Sequence, residues 1–157
     1  MIGIVLVTHG RLADELRAAA LTIQPDIARI VSVALEWSQT GEDARERIRQ
    51  GLAEADQGDG AVILTDMFGG TPTNLTLSFL QKDRVEIVTG VNLPMVLKSA
   101  TLQKTARSVV EMAHTVRDRG QRSIYVASDL LLDEEGVAAG SEHAGEGAPS
   151  EPRGTRE

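Results

Sequence analysis

Residues 2 to 7, Ile2-Gly3-Ile4-Val5-Leu6-Val7, run without a single polar side chain. A strand covered on one face alternates apolar and polar residues, whereas one covered on both faces does not. The same uninterrupted character returns at Ala61-Val62-Ile63-Leu64, and Ile27 to Leu35 is rich in β-branched residues. Such strands belong to a parallel sheet layered between helices. The segments between them have helical spacing. Leu12, Leu16, Ala19, Ala20 and Ile23 share one side of a helix that starts near Arg11 and stops before Pro25. Ala44, Ile48, Leu52 and Ala55 mark a second helix. Its start, Thr40-Gly41-Glu42-Asp43, resembles a capping box with aspartate in place of the usual glutamate.

The pattern continues to residue 127. Asp56 to Gly60 reads as a turn, and 61 to 65 as the third strand. Thr71-Pro72 supplies an N-cap and a proline at the first helical position, with Leu75, Phe79 and Leu80 expected on the core side. Val85 to Thr89 is a fourth strand. Asn92 caps a helix over 93 to 100, which is interrupted at 101 to 104 and resumes through Val109, Val110, Met112, Ala113 and Val116 to Arg119. Gly120 ends it, and Ser123 to Ala127 reads as a fifth strand. The class expected is α/β: a flavodoxin-like open parallel sheet in the order 2-1-3-4, with helices on both faces and right-handed crossovers. Strands 1 and 3 flank the switch point of that order, and ligands bind there, beyond the carboxyl ends of the strands.

Composition narrows the function. Aromatic residues are 3% of the 157, too few for base-stacking platforms, and the net charge of −7 opposes a nucleic-acid or anionic-membrane partner. There is no cysteine, which removes disulfides, thiolate metal sites and cysteine nucleophiles. The first apolar run is too short for a signal-peptide core, and no stretch approaches the ~20 apolar residues of a membrane span. A soluble, cytoplasmic chain is expected. Residues 133 to 157 hold seven acids against Arg153 and Arg156, a net −5 that leaves −2 for residues 1 to 132. With five glycines, two prolines and Val137 as their one large aliphatic residue, they cannot offset their ordering entropy by burial. The expected division is a globular domain over 1–130 and a disordered acidic tail over 131–157.

The two apolar strands end in polar residues of unlike kind. The first runs into Thr8-His9-Gly10 and the third into Asp66, followed by Met67-Phe68-Gly69-Gly70-Thr71-Pro72. Neighbouring parallel strands bring His9 and Asp66 to one edge. A carboxylate that fixes one imidazole nitrogen lets the other act as nucleophile, base or ligand. Asp66 either caps the turn that follows it or accepts a hydrogen bond from the His9 ring. Gly10 allows torsions that a side chain forbids. Gly69 and Gly70 before a helix permit close approach of backbone amides to an anion, and the Thr71 hydroxyl can donate to a phosphoryl oxygen. His114 and His143 are expected to be bystanders. No acid or histidine pair sits at ligand spacing, so neither metal nor cofactor is expected. GxxxxGK[ST] and GxGxxG are both absent, leaving no support for a nucleotide loop.

Three segments together resemble a known family: Leu6-Val7-Thr8-His9-Gly10, Leu64 through Asn74, and Gly90-Val91-Asn92-Leu93-Pro94-Met95. They are similar, in order and spacing, to the mannose-type IIA component of the bacterial sugar phosphotransferase system, over roughly residues 1 to 130. The resemblance implies a phosphoryl carrier in which His9 accepts phosphate from the phosphocarrier HPr, through Nε2, and passes it to a IIB component. It implies Asp66 as the orienting carboxylate and Gly69, Gly70, Thr71 and Pro72 around the phosphate. It also implies a homodimer that exchanges the 123 to 127 strand. Met67, Phe68 and Trp37 form a candidate apolar rim for partner docking. The IIA-like part runs on into the acidic tail, so a IIB component is expected to be a separate polypeptide, unless the chain is a stand-alone regulator. Alternatives with similar residues are the phosphocarrier subunit of a dihydroxyacetone kinase and a non-catalytic module regulated by its own phosphorylation. A histidine phosphatase is disfavoured, because Thr8 stands where that superfamily's phosphate-gripping arginine would be.

Overall fold

The computed structural model describes residues 1–36 and 38–130. Among them four strands, β1 (Gly3–His9), β2 (Ile30–Leu35), β3 (Ala61–Thr65) and β4 (Val85–Thr89), form one sheet in the order β2-β1-β3-β4. All three pairings are parallel. The expected order is therefore the observed one, and β1 and β3 are neighbours. Successive side chains of a strand point to opposite faces, and β1 shows it: Ile4 and Leu6 join one core while Val5 and Val7 join the other.

The first core lies under α1 (Leu12–Ile23), α4 (Leu93–Leu102) and α5 (Val109–Gln121), with Ala13, Ala20, Met95, Val96, Met112 and Val116 packed on the sheet. The second lies under α2 (Gly41–Ala55), whose Ala44, Ile48, Leu52 and Ala55 form the expected stripe, together with Leu75 of α3 (Thr71–Thr76). Thr40 Oγ1 accepts from the Asp43 amide at 3.1 Å, the N-cap half of the expected capping box, and donates to the Asp43 carboxylate at 2.7 Å. Asn92 caps α4 by accepting from the Met95 amide at 3.1 Å.

The structure departs from the sequence reading in several places. Leu12 and Ile23 are exposed, and the inner face of α1 is carried by Ala13 and Ala20. The N-cap of α3 is Gly70, so Thr71 and Pro72 fill the first two helical positions. Amides there have no intrahelical acceptor, and a proline costs little. Leu80 is exposed because α3 gives way to a 3₁₀ turn over Leu77–Phe79, which breaks the 3.6-residue register.

The chain divides into two units between residues 123 and 124. Of the second, 124–130 are described: 124–126 are irregular, 127–130 form a helical turn, and Ile124, Tyr125 and Val126 are exposed. Among the described residues, the strand expected at 123–127 is not formed. The acidic tail, 131–157, lies outside the described residues.

Candidate functional site

His9 is the last residue of β1, and Asp66 follows the last residue of β3. Val7 pairs with Thr65 in register, and β3 stops there. Where no further strand carbonyl is offered, the Asp66 carboxylate takes over: Oδ2 accepts from the His9 backbone amide at 3.0 Å and lies 2.8 Å from the ring nitrogen Nδ1. Its other oxygen, Oδ1, accepts from the Met67 amide at 3.0 Å. Capping the turn and binding the imidazole were alternatives on sequence grounds; Asp66 does both. The side chains of His9 and Asp66 are 21% and 14% exposed, open enough to be reached and sheltered enough to be fixed.

Burial of Asp66 pushes its carboxyl upward, but the hydrogen bonds from the His9 amide and ring, the ring's charge and the Met67 amide outweigh it. They hold the group below the usual carboxylate range. Asp66 is therefore ionised at neutral pH and can only accept. The shared proton must sit on Nδ1 of His9, which leaves the lone pair of the neutral ring on Nε2.

Nε2 lies on the side of Gly70. A Cβ added at Gly70 would fall 2.8 Å from His9 Cε1, 3.3 Å from Met67 Cγ and 3.4 Å from His9 Nε2. Gly70 has φ −78°, a value any residue adopts, so it is needed for space and not for conformation. Gly10 differs: at φ +52° it turns the chain directly after the imidazole. Gly69, at φ +84°, is exposed. His9 opens into a cavity of about 200 Å³ with Leu35, Glu36, Gln39, Thr71 and Pro72.

The structure thus brings His9, Asp66, Gly70 and Thr71 together. Met67 and Phe68, on the loop beside them, are 55% and 75% exposed. Trp37 lies outside the described residues, as does His143. His114 is exposed on α5, in a separate groove with Phe68, Glu86 and Arg117. Leu35, Glu36 and Gln39 went unnoticed in the sequence because they become neighbours of His9 through sheet pairing alone: His9 is opposite Leu35. Two further buried groups at the site, Thr65 and Thr73, are hydrogen-bonded to each other at 3.0 Å. Their signal was visible, since Thr65 is the lone hydroxyl in an aliphatic strand. Among the described residues no group of three or more His, Cys, Asp or Glu is placed to hold a metal ion, and no helix is long and apolar enough to cross a membrane.

Known proteins resemble this one over the same region. A family model, EIIA-man, described as the PTS system fructose IIA component, matches residues 3–116. The fructose-specific EIIA component of the PTS from Bacillus subtilis (strain 168) is 26% identical over 132 residues, covering 83% of this chain and 90% of that one. The mannose-specific EIIAB component of Escherichia coli (strain K12) is 25% identical over 124 residues, 78% of this chain but 38% of that longer protein. Among solved structures, the PTS IIA protein associated with the fucose utilization operon from Streptococcus pneumoniae superimposes with a TM-score of 0.71. It is 26% identical and covers 82% of this chain and 95% of that one.

Proposed function

The chain belongs to the mannose-type IIA family of the sugar phosphotransferase system, and from that premise we propose that His9 is its phosphoryl-carrying residue, with Nε2 as the accepting atom. The observation that carries this reading is the 2.8 Å contact between Asp66 Oδ2 and His9 Nδ1. It fixes the tautomer in which Nε2 is the nucleophile and puts an ionised carboxylate where positive charge will develop. HPr is the donor and a IIB component the acceptor, as the family implies.

The Nε2 lone pair attacks the phosphorus of phospho-HPr as the phosphorus–nitrogen bond to the donor breaks, and the donor imidazole leaves with that electron pair. The His9 ring, still protonated at Nδ1, becomes cationic, and Asp66 offsets the charge across one hydrogen bond. Phosphoryl transfer asks a protein mainly for position and charge stabilisation. In this reading Gly69 and Gly70 offer backbone amides and Thr71 its hydroxyl to the phosphoryl group. The return step reverses these roles, with the acceptor's nucleophile taking the phosphoryl group and Nε2 recovering its lone pair.

Met67 and Phe68 are the docking rim in this reading, an apolar pair next to the reactive ring. The 123–127 segment would be the strand that two copies exchange, making a homodimer. The test is labelling: phosphoenolpyruvate, enzyme I and HPr should add one acid-labile phosphate per chain, and His9→Ala should abolish it. Label retained by that variant would place the carrier elsewhere.

A further inference from the structure

Buried between β3 and α3 is a chain of hydroxyls that the transfer step does not itself use. Thr65 and Thr73 are both fully buried, and their Oγ1 atoms are 3.0 Å apart. Thr73 also donates to the backbone carbonyl of Met67. A hydroxyl has one proton and a carbonyl has none. The Thr73 proton is therefore committed to Met67, and the bond between the threonines must be donated by Thr65. The direction is fixed: Thr65 to Thr73 to the Met67 carbonyl.

We propose that Thr73 is a positioning residue for phosphoryl transfer, its hydroxyl stapling the 66–70 loop so that the Asp66 carboxylate meets the His9 ring correctly. This rests on His9 being the carrier. The Met67 backbone is held at both ends, its amide by Asp66 Oδ1 and its carbonyl by Thr73. Met67 Cγ and the His9 ring both close in on Gly70, at 3.3 Å and 2.8 Å from the place of its missing Cβ. The residue that fixes Met67 therefore also sets the loop wall beside Nε2 and one of the three bonds that aim the carboxylate. Both hydroxyls are shut off from solvent, so water cannot replace a lost partner. Thr76, equally buried in the same helix, donates to the Thr73 carbonyl at 2.8 Å, a bond within the helix.

The experiment compares Thr73→Val, Thr73→Ser, Thr76→Val and Asp66→Asn for thermal stability and for the rate of His9 phosphorylation by phospho-HPr. Thr73→Val keeps the volume and removes both bonds, and is expected to slow transfer about tenfold, the worth of one well-placed hydrogen bond. Thr73→Ser restores the rate to within about threefold of wild type, and Thr76→Val lowers the melting temperature with its rate also inside that margin. If the staple acts through the carboxylate, Asp66→Asn/Thr73→Val is slower than Asp66→Asn by no more than about twofold. Equal rates for Thr73→Val and Thr76→Val, or a Thr73→Val loss that multiplies fully with that of Asp66→Asn, would overturn the proposal. Should Thr73→Val not fold, Thr65→Val carries the test: it removes the donor to Thr73 and is expected to cost about threefold, and an unchanged rate would refute the relay. Failure of the wild type to take label at His9 would instead strike the carrier reading itself.

Discussion

Adding one methyl group at Gly70 separates catalysis from folding in this protein. The Cβ of Gly70→Ala would lie 2.8 Å from His9 Cε1, against ordinary carbon contacts of about 3.5–4.0 Å. Met67 Cγ, at 3.3 Å, belongs to a flexible side chain and can yield. The imidazole cannot yield cheaply, since Asp66 grips both its Nδ1 and the His9 amide. The ring and the new methyl must separate by about 1 Å, a misplacement that can cost on the order of 100-fold in rate. The backbone tolerates the change at φ −78°, so the stability loss is about 1 kcal/mol for replacing a glycine N-cap by alanine plus about 1–3 kcal/mol for the overpacked ring contact, together roughly 5–15 °C in melting temperature. Rapid-quench measurement of phosphate uptake from phospho-HPr, beside a thermal melt, reads both quantities. A variant that folds as expected and takes up phosphate within about threefold of the wild-type rate would show that the ring is not confined as described.

Asp66→Asn should slow uptake by roughly 10- to 100-fold, because a neutral amide cannot offset the cationic ring as a carboxylate does, a difference of about 1–3 kcal/mol; stopped-time labelling measures it. The same substitution has a pH signature. The folded-state carboxyl of Asp66 lies below its ordinary value, so the unfolded chain protonates first as the pH falls. Its stabilisation is complete above about 3.9 and is lost on further acidification. Urea unfolding of the two proteins should therefore show their stability gap narrowing below that pH, and a gap that widens would contradict the assignment. Thr40→Ala removes the hydroxyl that caps α2 and should cost about 1 kcal/mol in chemical denaturation, with phosphorylation unchanged.

The sheet order was legible because the strands announce themselves. Val5, Val7, Ile63 and Leu64 leave no polar face, and only a two-sided sheet buries such runs. The pairing of His9 with Asp66 followed from that order, since each ends one of the two central strands. What escaped the sequence depends on exact register. Leu80 was expected inside because one helix was assumed to reach it; the shift to a 3₁₀ turn over Leu77–Phe79 is a tertiary outcome with no local signature. Gln39 and Glu36 reach the His9 cavity only because β2 lies beside β1. Gly70 was noted for its amide, yet its closest relation is steric, and no sequence pattern tells a glycine needed for space from one needed for torsion. The segment at 123–127 has strand-forming residues, but a strand needs a neighbour to pair with, and among the described residues the segment forms no strand.

Proton-detected two-bond ¹H–¹⁵N correlation of the phosphorylated chain identifies which imidazole nitrogen of His9 carries the phosphoryl group. With Nδ1 held 2.8 Å from the Asp66 carboxylate, phosphorus should be found on Nε2 and the proton retained on Nδ1. A phosphoryl group on Nδ1 would mean that the carboxylate does not hold the ring during transfer, and the account would fail at its centre.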